Sequence, residues 1–386
     1  MNILILTGPL YPSAGNNANQ VLKLVPFLRE RHSVRILSFA GNGDRSLLPA
    51  FICGVPIRWC VDDRTDILRR RFYPLLSSLS DRNGYSDALQ RRLLYDEAIS
   101  FHKEYPFDAV ISTIEPFFCA DTASRLHCAK STLYLMDPPA SISNGWSTAY
   151  RDRQMKRILA SQDTVITTPF IRQALLSGVS GISEENLVSV GFPMIGKYLF
   201  ERSTLSDSRI RLLFCGWLYS EIRSPKYFLD VLSRLDERFV VTFMGRECEK
   251  LTERFDIHTK AELITLPQQP YETALQAMAD ADIMINIGNS VPVHMPSKTL
   301  EYINTGKPFV NFYKMDDCPT LYYTKRYPLC LNLFEGDSDI ETAADRFIDF
   351  CVENKGKTVD RAFIESEYAD CTPEYIAQKI LDALGE

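Results

Sequence analysis

The chain lacks any run of about 18 uninterrupted apolar residues, the length a membrane-spanning helix needs. It also lacks a Gly-x-x-x-x-Gly-Lys-Ser/Thr loop and a Gly-x-Gly-x-x-Gly turn, which argues against ATP hydrolysis on a P-loop and against NAD chemistry. Its 10 cysteines contain no Cys-x-x-Cys pair, and its 5 histidines are scattered, so no metal site is expected. Most of the cysteines lie in apolar runs and read as small core residues, reduced thiols of a cytosolic protein. There is no low-complexity tract, and a content of 45% hydrophobic and 24% charged residues is that of a globular protein. Met1-Asn2 leads straight into an apolar strand with no basic segment before it, so the start reads as part of the fold rather than as a signal peptide.

What is present is a chain of 386 residues, a length that suits two domains. Charge is uneven over it. Residues 1–92 hold 13 Lys+Arg and 7 Asp+Glu, against a formal net charge of −6 for the whole. Such a basic region suits either an anionic surface, such as a membrane or a lipid phosphate, or a plain solvated face.

Short apolar runs at 3–6, 34–37, 109–111, 132–135 and 164–167 alternate with helical spacing, as in Val21, Leu22, Leu24, Val25 and Leu28. This is the pattern of βαβ units on a parallel sheet. A second start follows a polar stretch at 203–208, with strands at 210–215, 239–244, 282–287 and 308–312 and helices between them. The two starts echo each other, Gly8-Pro9-Leu10-Tyr11 against Gly216-Trp217-Leu218-Tyr219. The fold expected is therefore α/β, two doubly wound Rossmann-like domains facing across a cleft. One covers 1–200 and is completed by a C-terminal amphipathic helix within 366–386; the other covers 201–365. Thr372 and Pro373 predict the start of that last helix.

The densest chemistry lies at 286–308. A strand ends in Gly288-Asn289-Ser290, and Pro296-Ser297-Lys298-Thr299-Leu300-Glu301-Tyr302 opens a helix. Free amides of Ser297, Lys298 and Thr299 at a helix start, with the Lys298 charge beside them, would attract phosphate. Glu301, one turn on, would accept two hydrogen bonds from a ribose diol. The same residues also suit an ordinary helix with a surface Lys–Glu pair.

The run from Pro296 through Tyr302 to Gly306-Lys307-Pro308 resembles the donor-binding motif of GT-B-fold glycosyltransferases, near the glycosyltransferase family 4 group. Gly216 to Pro225, Leu266-Pro267, Met278 to Ile283 and Gly8 to Asn19 extend the resemblance over most of the chain. It implies that Lys298 and Arg223 hold a diphosphate, with the backbone of Ser297, Thr299 and Leu300 capping it. It implies Glu301 on the ribose, Gly288 and Asn289 near the sugar, and close backbone approaches at Gly15 and Gly216. The implied activity is metal-independent transfer from a nucleotide-diphosphate sugar, uridine favoured, with no cofactor. The acceptor would be a saccharide or a lipid-linked one, in surface-polysaccharide or glycolipid assembly. The protein would lie in the cytoplasm, free or peripheral at the inner membrane's cytoplasmic face, and would bind no nucleic acid. Two departures bear on stereochemistry: many members carry Glu where Val293 stands, and a basic residue is common where Trp217 stands.

An inverting reaction would need a base, and Asp137 and Glu115, each at a strand end before a proline, are the candidates; both also suit turn caps. His294 is placed to touch the donor or simply to be exposed. Asp280-Ala281-Asp282 and Asp337-Ser338-Asp339 read as structural, and Arg69-Arg70-Arg71 beside Phe72 suits a membrane surface. Alternative functions are a nucleotide-sugar epimerase on this fold, or a non-catalytic nucleotide-sugar-binding partner protein.

Overall fold

Valine, isoleucine, leucine and phenylalanine fill the strand interiors because parallel strands are covered on both faces. A computed structural model describes residues 1–10, 16–39, 52–60, 85–127, 129–137, 146–178, 182–196, 201–203, 208–218 and 222–386. Gly15 and Arg69-Arg70-Arg71 lie outside the described residues. The chain divides into two units: Met1–Pro193 with Asp370–Glu386, and Met194–Ala369.

In the first unit the described strands are β1 (Asn2–Thr7), β2 (Ser33–Phe39), β3 (Ile57–Cys60), β4 (Ala109–Thr113), β5 (Lys130–Leu135), β6 (Thr164–Thr167) and β7 (Leu187–Ser189). They form one sheet in the order β3-β2-β1-β4-β5-β6-β7, with every pair parallel. The described helices are α1 (Asn16–Leu22), α2 (Val25–Leu28), α3 (Tyr85–Glu104), α4 (Phe117–Ala123), α5 (Trp146–Ala160) and α6 (Pro169–Gly178). Leu4, Leu6, Leu37 and Val110 pack with Leu94, Ala98, Phe101 and Phe118 of α3 and α4. Leu133, Leu135 and Val165 pack with Ile158, Leu159, Ile171 and Leu175 of α5 and α6.

The second unit repeats the plan. Strands β8 (Ile210–Cys215), β9 (Phe239–Met244), β10 (Glu262–Leu266), β11 (Ile283–Ile287), β12 (Phe309–Tyr313) and β13 (Cys330–Phe334) form a parallel sheet in the order β10-β9-β8-β11-β12-β13. Its helices are α7 (Lys226–Leu232), α8 (Leu251–Arg254), α9 (Tyr271–Asp280), α10 (Lys298–Asn304), α11 (Pro319–Thr324), α12 (Ile340–Asn354) and α13 (Arg361–Glu367). Phe228, Phe243, Phe312 and Phe347 stack at tilted angles in its core. In both sheets the first strand of the unit, β1 or β8, lies beside the fourth, β4 or β11. The gap beyond their carboxyl ends, where the winding reverses, is where such sheets take ligands. The sequence echo of Gly8 and Gly216 falls at those two equivalent strand ends.

The last helix, α14 (Pro373–Leu384), is capped by Thr372 Oγ1, which accepts from the Tyr375 amide. It packs on α2 of the first unit, and Lys130 Nζ donates to its last carbonyl, Leu384 O, at 2.7 Å.

The Gly306-Lys307-Pro308 turn has a local physical cause. Gly306 adopts φ 74° directly after α10, a left-handed stop suited to glycine. Lys307 reaches back to the end of α9, donating to Ala279 O and, at 2.5 Å, to Ala281 O. A cation there satisfies carbonyls the helix leaves open. Burial, then the Arg202 guanidinium, bring the Lys307 ammonium down to about 8, against the upward pull of Asp282 and Asp280. Its folded pKa is below the unfolded value of about 10.4, so the unfolded chain holds more protons between those limits and stability rises with pH across them. Urea unfolding of the protein and of Lys307→Met, at about pH 7.5 and about pH 10, should show the gap moving by about 1–2 kcal/mol in favour of the lysine. A gap that stays constant would show that Lys307 is not perturbed.

Candidate functional site

The strand ends of the second unit gather most of the residues singled out from the sequence. Two neighbours fix Arg223, whose residue is only 8% exposed. Its Nε donates to Asn289 Oδ1 at 2.9 Å and its Nη1 to Trp217 O at 3.3 Å. Asn289 is itself held, donating to His294 O at 2.9 Å with His294 Nδ1 at 2.7 Å. The Ser290 amide donates to Ile222 O, closing the loop that carries Arg223 onto the loop after β11. His294 thus supports Asn289, and through it Arg223.

Gly216 is the meeting point. A Cβ there would sit 3.6 Å from Arg223 Nη1, and one on Gly245, whose φ is +139°, would sit 1.9 Å from Gly216 O. The ends of β8 and β9 therefore touch through backbone alone. Gly288 is equally confined, with Phe312 O 2.9 Å from where its Cβ would be.

Lys298 opens α10, with its side chain 25% exposed, and donates to Glu301 Oε2 at 2.5 Å; the Glu301 side chain is 13% exposed. Burial pulls the Lys298 ammonium down, but the charge of Glu301 outweighs it and holds lysine well above its usual range. The pair stands close enough to Cys215, at the end of β8, for both charges to act on that buried thiol. A Lys–Glu pair is present, as one reading of the sequence had it, but it is largely withdrawn from solvent beside the Gly216 turn.

The start of α10 corrects one expectation. The Thr299 amide donates to Pro296 O at 3.1 Å and the Leu300 amide to Ser297 O at 3.2 Å. The Thr299 amide is therefore not left free, because the first turn is tight; capping of an anion by these two groups requires that those bonds be shared. With only seven residues in α10, the side-chain cations carry the attraction for anions.

Sequence reading missed what holds α10 in place. Asn286, Asn311 and Asn332 occupy matched positions on β11, β12 and β13. Asn286 Nδ2 donates to Asn311 Oδ1 at 2.7 Å, and Asn311 Nδ2 to Asn332 Oδ1 at 2.8 Å. Thr299 Oγ1 of α10 donates to Asn286 Oδ1 at 3.3 Å, and Thr324 Oγ1 of α11 to Asn332 Oδ1 at 2.7 Å. The available signal was one asparagine inside each apolar strand: Ile285-Asn286-Ile287, Val310-Asn311-Phe312 and Leu331-Asn332-Leu333. Also missed was Arg246, whose guanidinium lies 4.0 Å from the Trp217 ring centroid. It puts a cation against Trp217, the position at which the resemblance implies a basic residue. Lys314, paired with Glu335 at 3.1 Å, donates to Ser224 O at 3.2 Å and so holds the loop next to Arg223. Val293 adopts φ 58°, which costs a β-branched residue on the order of 1–3 kcal/mol.

In the first unit, Asp137 follows β5, half-buried, and its Oδ2 accepts from Asn17 Nδ2 of α1 at 2.9 Å. Glu115 follows β4; Gly8, at the end of β1, lies against Glu115 O and Pro116. Loss of surrounding water, then the negative charge of Asp137, raise the Glu115 carboxyl above its ordinary range. Much of its side chain still meets solvent, which screens the effect.

The two Asp pairs are structural. Asp282 accepts from the Arg211 amide and from Arg202, Asp280 accepts from Ser203, and Asp339 caps α12. No cluster of three potential metal ligands occurs among the described residues. Among them, too, no helix is long and apolar enough to cross a membrane.

This architecture is that of the GT-B class, two Rossmann-like domains in one chain. Lipopolysaccharide outer core galactosyltransferase WaaB matches it at TM-score 0.60 and 13% identity, over 100% of this chain and 99% of the other. HepE of Anabaena, solved with UDP-glucose, matches at TM-score 0.64 and 13% identity, over 99% of both chains. UDP-GlcNAc 2-epimerase of Neisseria meningitidis, bound to UDP-GlcNAc, matches at TM-score 0.57 and 11% identity, over 100% and 99%. No protein-family profile and no curated protein sequence matches the chain, and identities this low establish the fold alone.

Tyr302 tests whether α10 is fixed to the sheet. Its hydroxyl accepts from the Cys215 amide at 3.0 Å and donates to Cys215 O at 3.1 Å, fully buried. Tyr302→Phe strands both backbone groups and should cost about 1–3 kcal/mol in urea unfolding. A loss below about 0.5 kcal/mol would show that the α10–β8 link is loose.

Proposed function

We propose that the protein is a glycosyltransferase that takes a sugar from a nucleoside-diphosphate sugar. The observation that carries this reading is that two cations stand at the carboxyl end of β8, at the winding reversal of the second sheet: Arg223 beside Gly216, and Lys298 near enough for its charge to act on Cys215. Charge grows on the diphosphate as it leaves, and cations already in place stabilise it without reorganisation. Arg223, oriented by Asn289 and Trp217, offers a planar fork suited to phosphate oxygens. Lys298 is permanently charged, and its exchange from Glu301 to phosphate would release a carboxylate for the ribose hydroxyls. Gly288 and Asn289 would lie near the sugar, and Ser297, Thr299 and Leu300 would line the phosphate side. HepE, solved with UDP-glucose, supports uridine as the base, and the structural likeness to WaaB, named for lipopolysaccharide outer core, supports a saccharide or lipid-linked saccharide as the acceptor. Asp137, steadied by Asn17, is the proposed base that takes the acceptor's proton, and Glu115 is the group most able to share that proton with it.

The alternative with a specific observation behind it is epimerisation, since UDP-GlcNAc 2-epimerases share this fold. Incubation with UDP-sugars and saccharide acceptors separates the readings. Transfer yields UDP and a new glycoside; epimerisation yields an isomeric UDP-sugar; a binding protein returns its ligand unchanged. Lys298→Ala should weaken UDP binding at least about tenfold by calorimetry while circular dichroism stays unaltered. Asp137→Asn should lower turnover by about 100-fold or more with UDP affinity within about twofold. Unchanged UDP affinity in the first variant removes Lys298 from the site, and near-normal turnover in the second removes Asp137 as the base.

A further inference from the structure

A histidine stands inside the network that orients Arg223, and the network fixes where its proton sits. Arg223 Nε can only donate, and it donates to Asn289 Oδ1 at 2.9 Å. His294 O can only accept, and it accepts from Asn289 Nδ2 at 2.9 Å. These contacts lie at opposite ends of the Asn289 amide and agree with each other. The amide oxygen faces the arginine and the amide nitrogen faces His294. Turning the amide over would set N–H against N–H at one end and oxygen against oxygen at the other.

The orientation of Asn289 in turn decides the imidazole. Asn289 Nδ2 carries two hydrogens; one goes to His294 O, and the other meets His294 Nδ1 at 2.7 Å. An amide nitrogen accepts nothing, so Nδ1 is the acceptor and carries no proton. The ring is therefore neutral, with its proton on Nε2. This follows from the Nδ1 edge alone, whatever the Nε2 edge meets. A proton added to Nδ1 would set two donors face to face, where Asn289 is only 2% exposed and little water can intervene. Asn289 cannot turn over to relieve them, because Arg223 offers it only N–H. The ring or the amide must then move, and either movement loosens Arg223.

We propose that His294 is a positioning residue that makes donor binding proton-dependent: neutral, it holds Asn289 and so aims Arg223 at the diphosphate; protonated, it releases both. This rests on the donor reading given above. The competent state is the unprotonated one, so affinity is full above the histidine range and is lost as pH falls through it. An imidazole that touched the diphosphate directly would act the other way, since its cation would attract the anion more strongly in acid. The direction of the pH dependence separates the two roles. The charged groups on the elements around this loop are Arg223 before α7, Lys298 and Glu301 of α10, and the Lys314–Glu335 pair after β12 and β13 that holds Ser224. All are common to the variants compared below, so their own titration cancels.

UDP is titrated by calorimetry into the full-length protein, His294→Asn and His294→Leu, at about pH 8 and about pH 5.5. Asparagine keeps an oxygen acceptor near the place of Nδ1 and does not titrate; leucine keeps bulk and offers no acceptor. Comparison with His294→Asn at each pH also removes the ionisation of UDP itself. Relative to that variant, the unaltered protein should lose about threefold or more of its affinity between the two pH values. His294→Leu, its fold checked by circular dichroism, should bind about tenfold more weakly at about pH 8, with asparagine restoring most of the loss. Nitrogen-15 NMR of the imidazoles in UDP-free protein at about pH 8, with His294 assigned by its loss in the asparagine variant, should show a bare Nδ1. A protonated Nδ1 there overturns the assignment without reference to UDP. In protein that binds UDP, an affinity ratio that stays level or climbs toward acid overturns the gating alone. Absence of UDP binding by the unaltered protein at both pH values defeats the donor reading, and the gating with it.

Discussion

The candidate site in the second unit depends on a row of amides, two of them buried and the third, Asn332, half-buried on the edge strand. A parallel strand covered on both faces has no water to satisfy a side-chain amide, so an asparagine there must find a partner in the protein. Asn286, Asn311 and Asn332 find one another because their strands pair in register, and the chain of bonds ends on Thr299 of α10 and Thr324 of α11. Directional bonds of this kind fix a helix more narrowly than apolar packing, which tolerates sliding. Lys298 and Glu301 lie on either side of Thr299, so the row of amides sets where both stand. Tyr302, hooked to both backbone groups of Cys215, sets the distance from α10 to the β8 end.

Upon that frame the charges are arranged to be available without being loose. Lys298 and Glu301 neutralise each other, and Arg223 is oriented by the oxygens of Asn289 and Trp217. On the proposed function, an anion arriving at Gly216 would meet Arg223 already oriented, and Lys298 by exchange of one partner. Glycine at 216, 245 and 288 is a matter of room, since any side chain at 245 or 288 would strike backbone.

Much of this was legible in the sequence. Apolar runs of strand length alternating with helical spacing gave both wound sheets. The pairing of Lys298 with Glu301 follows from their three-residue spacing. Asn286, Asn311 and Asn332 escaped because single polar residues vanish within apolar runs, and their meaning lies in register between strands. Arg246 on Trp217 and Lys314 on Ser224 are contacts between separate loops, which no local pattern announces. The Thr299 amide was misjudged as free because helix-start rules describe α-turns, and this first turn is tighter. In the first unit the same distance effect hid Asn17 behind Asp137, 120 residues away.

The central claim is that the Gly216 turn, with Lys298 and Arg223, receives both phosphates of a nucleoside diphosphate. Phosphorus-31 NMR of UDP titrated with the protein reads each phosphate separately. The account predicts that the α and β resonances both shift and broaden on binding, and that uridine does not compete. Resonances that keep their free positions at saturating protein would contradict it.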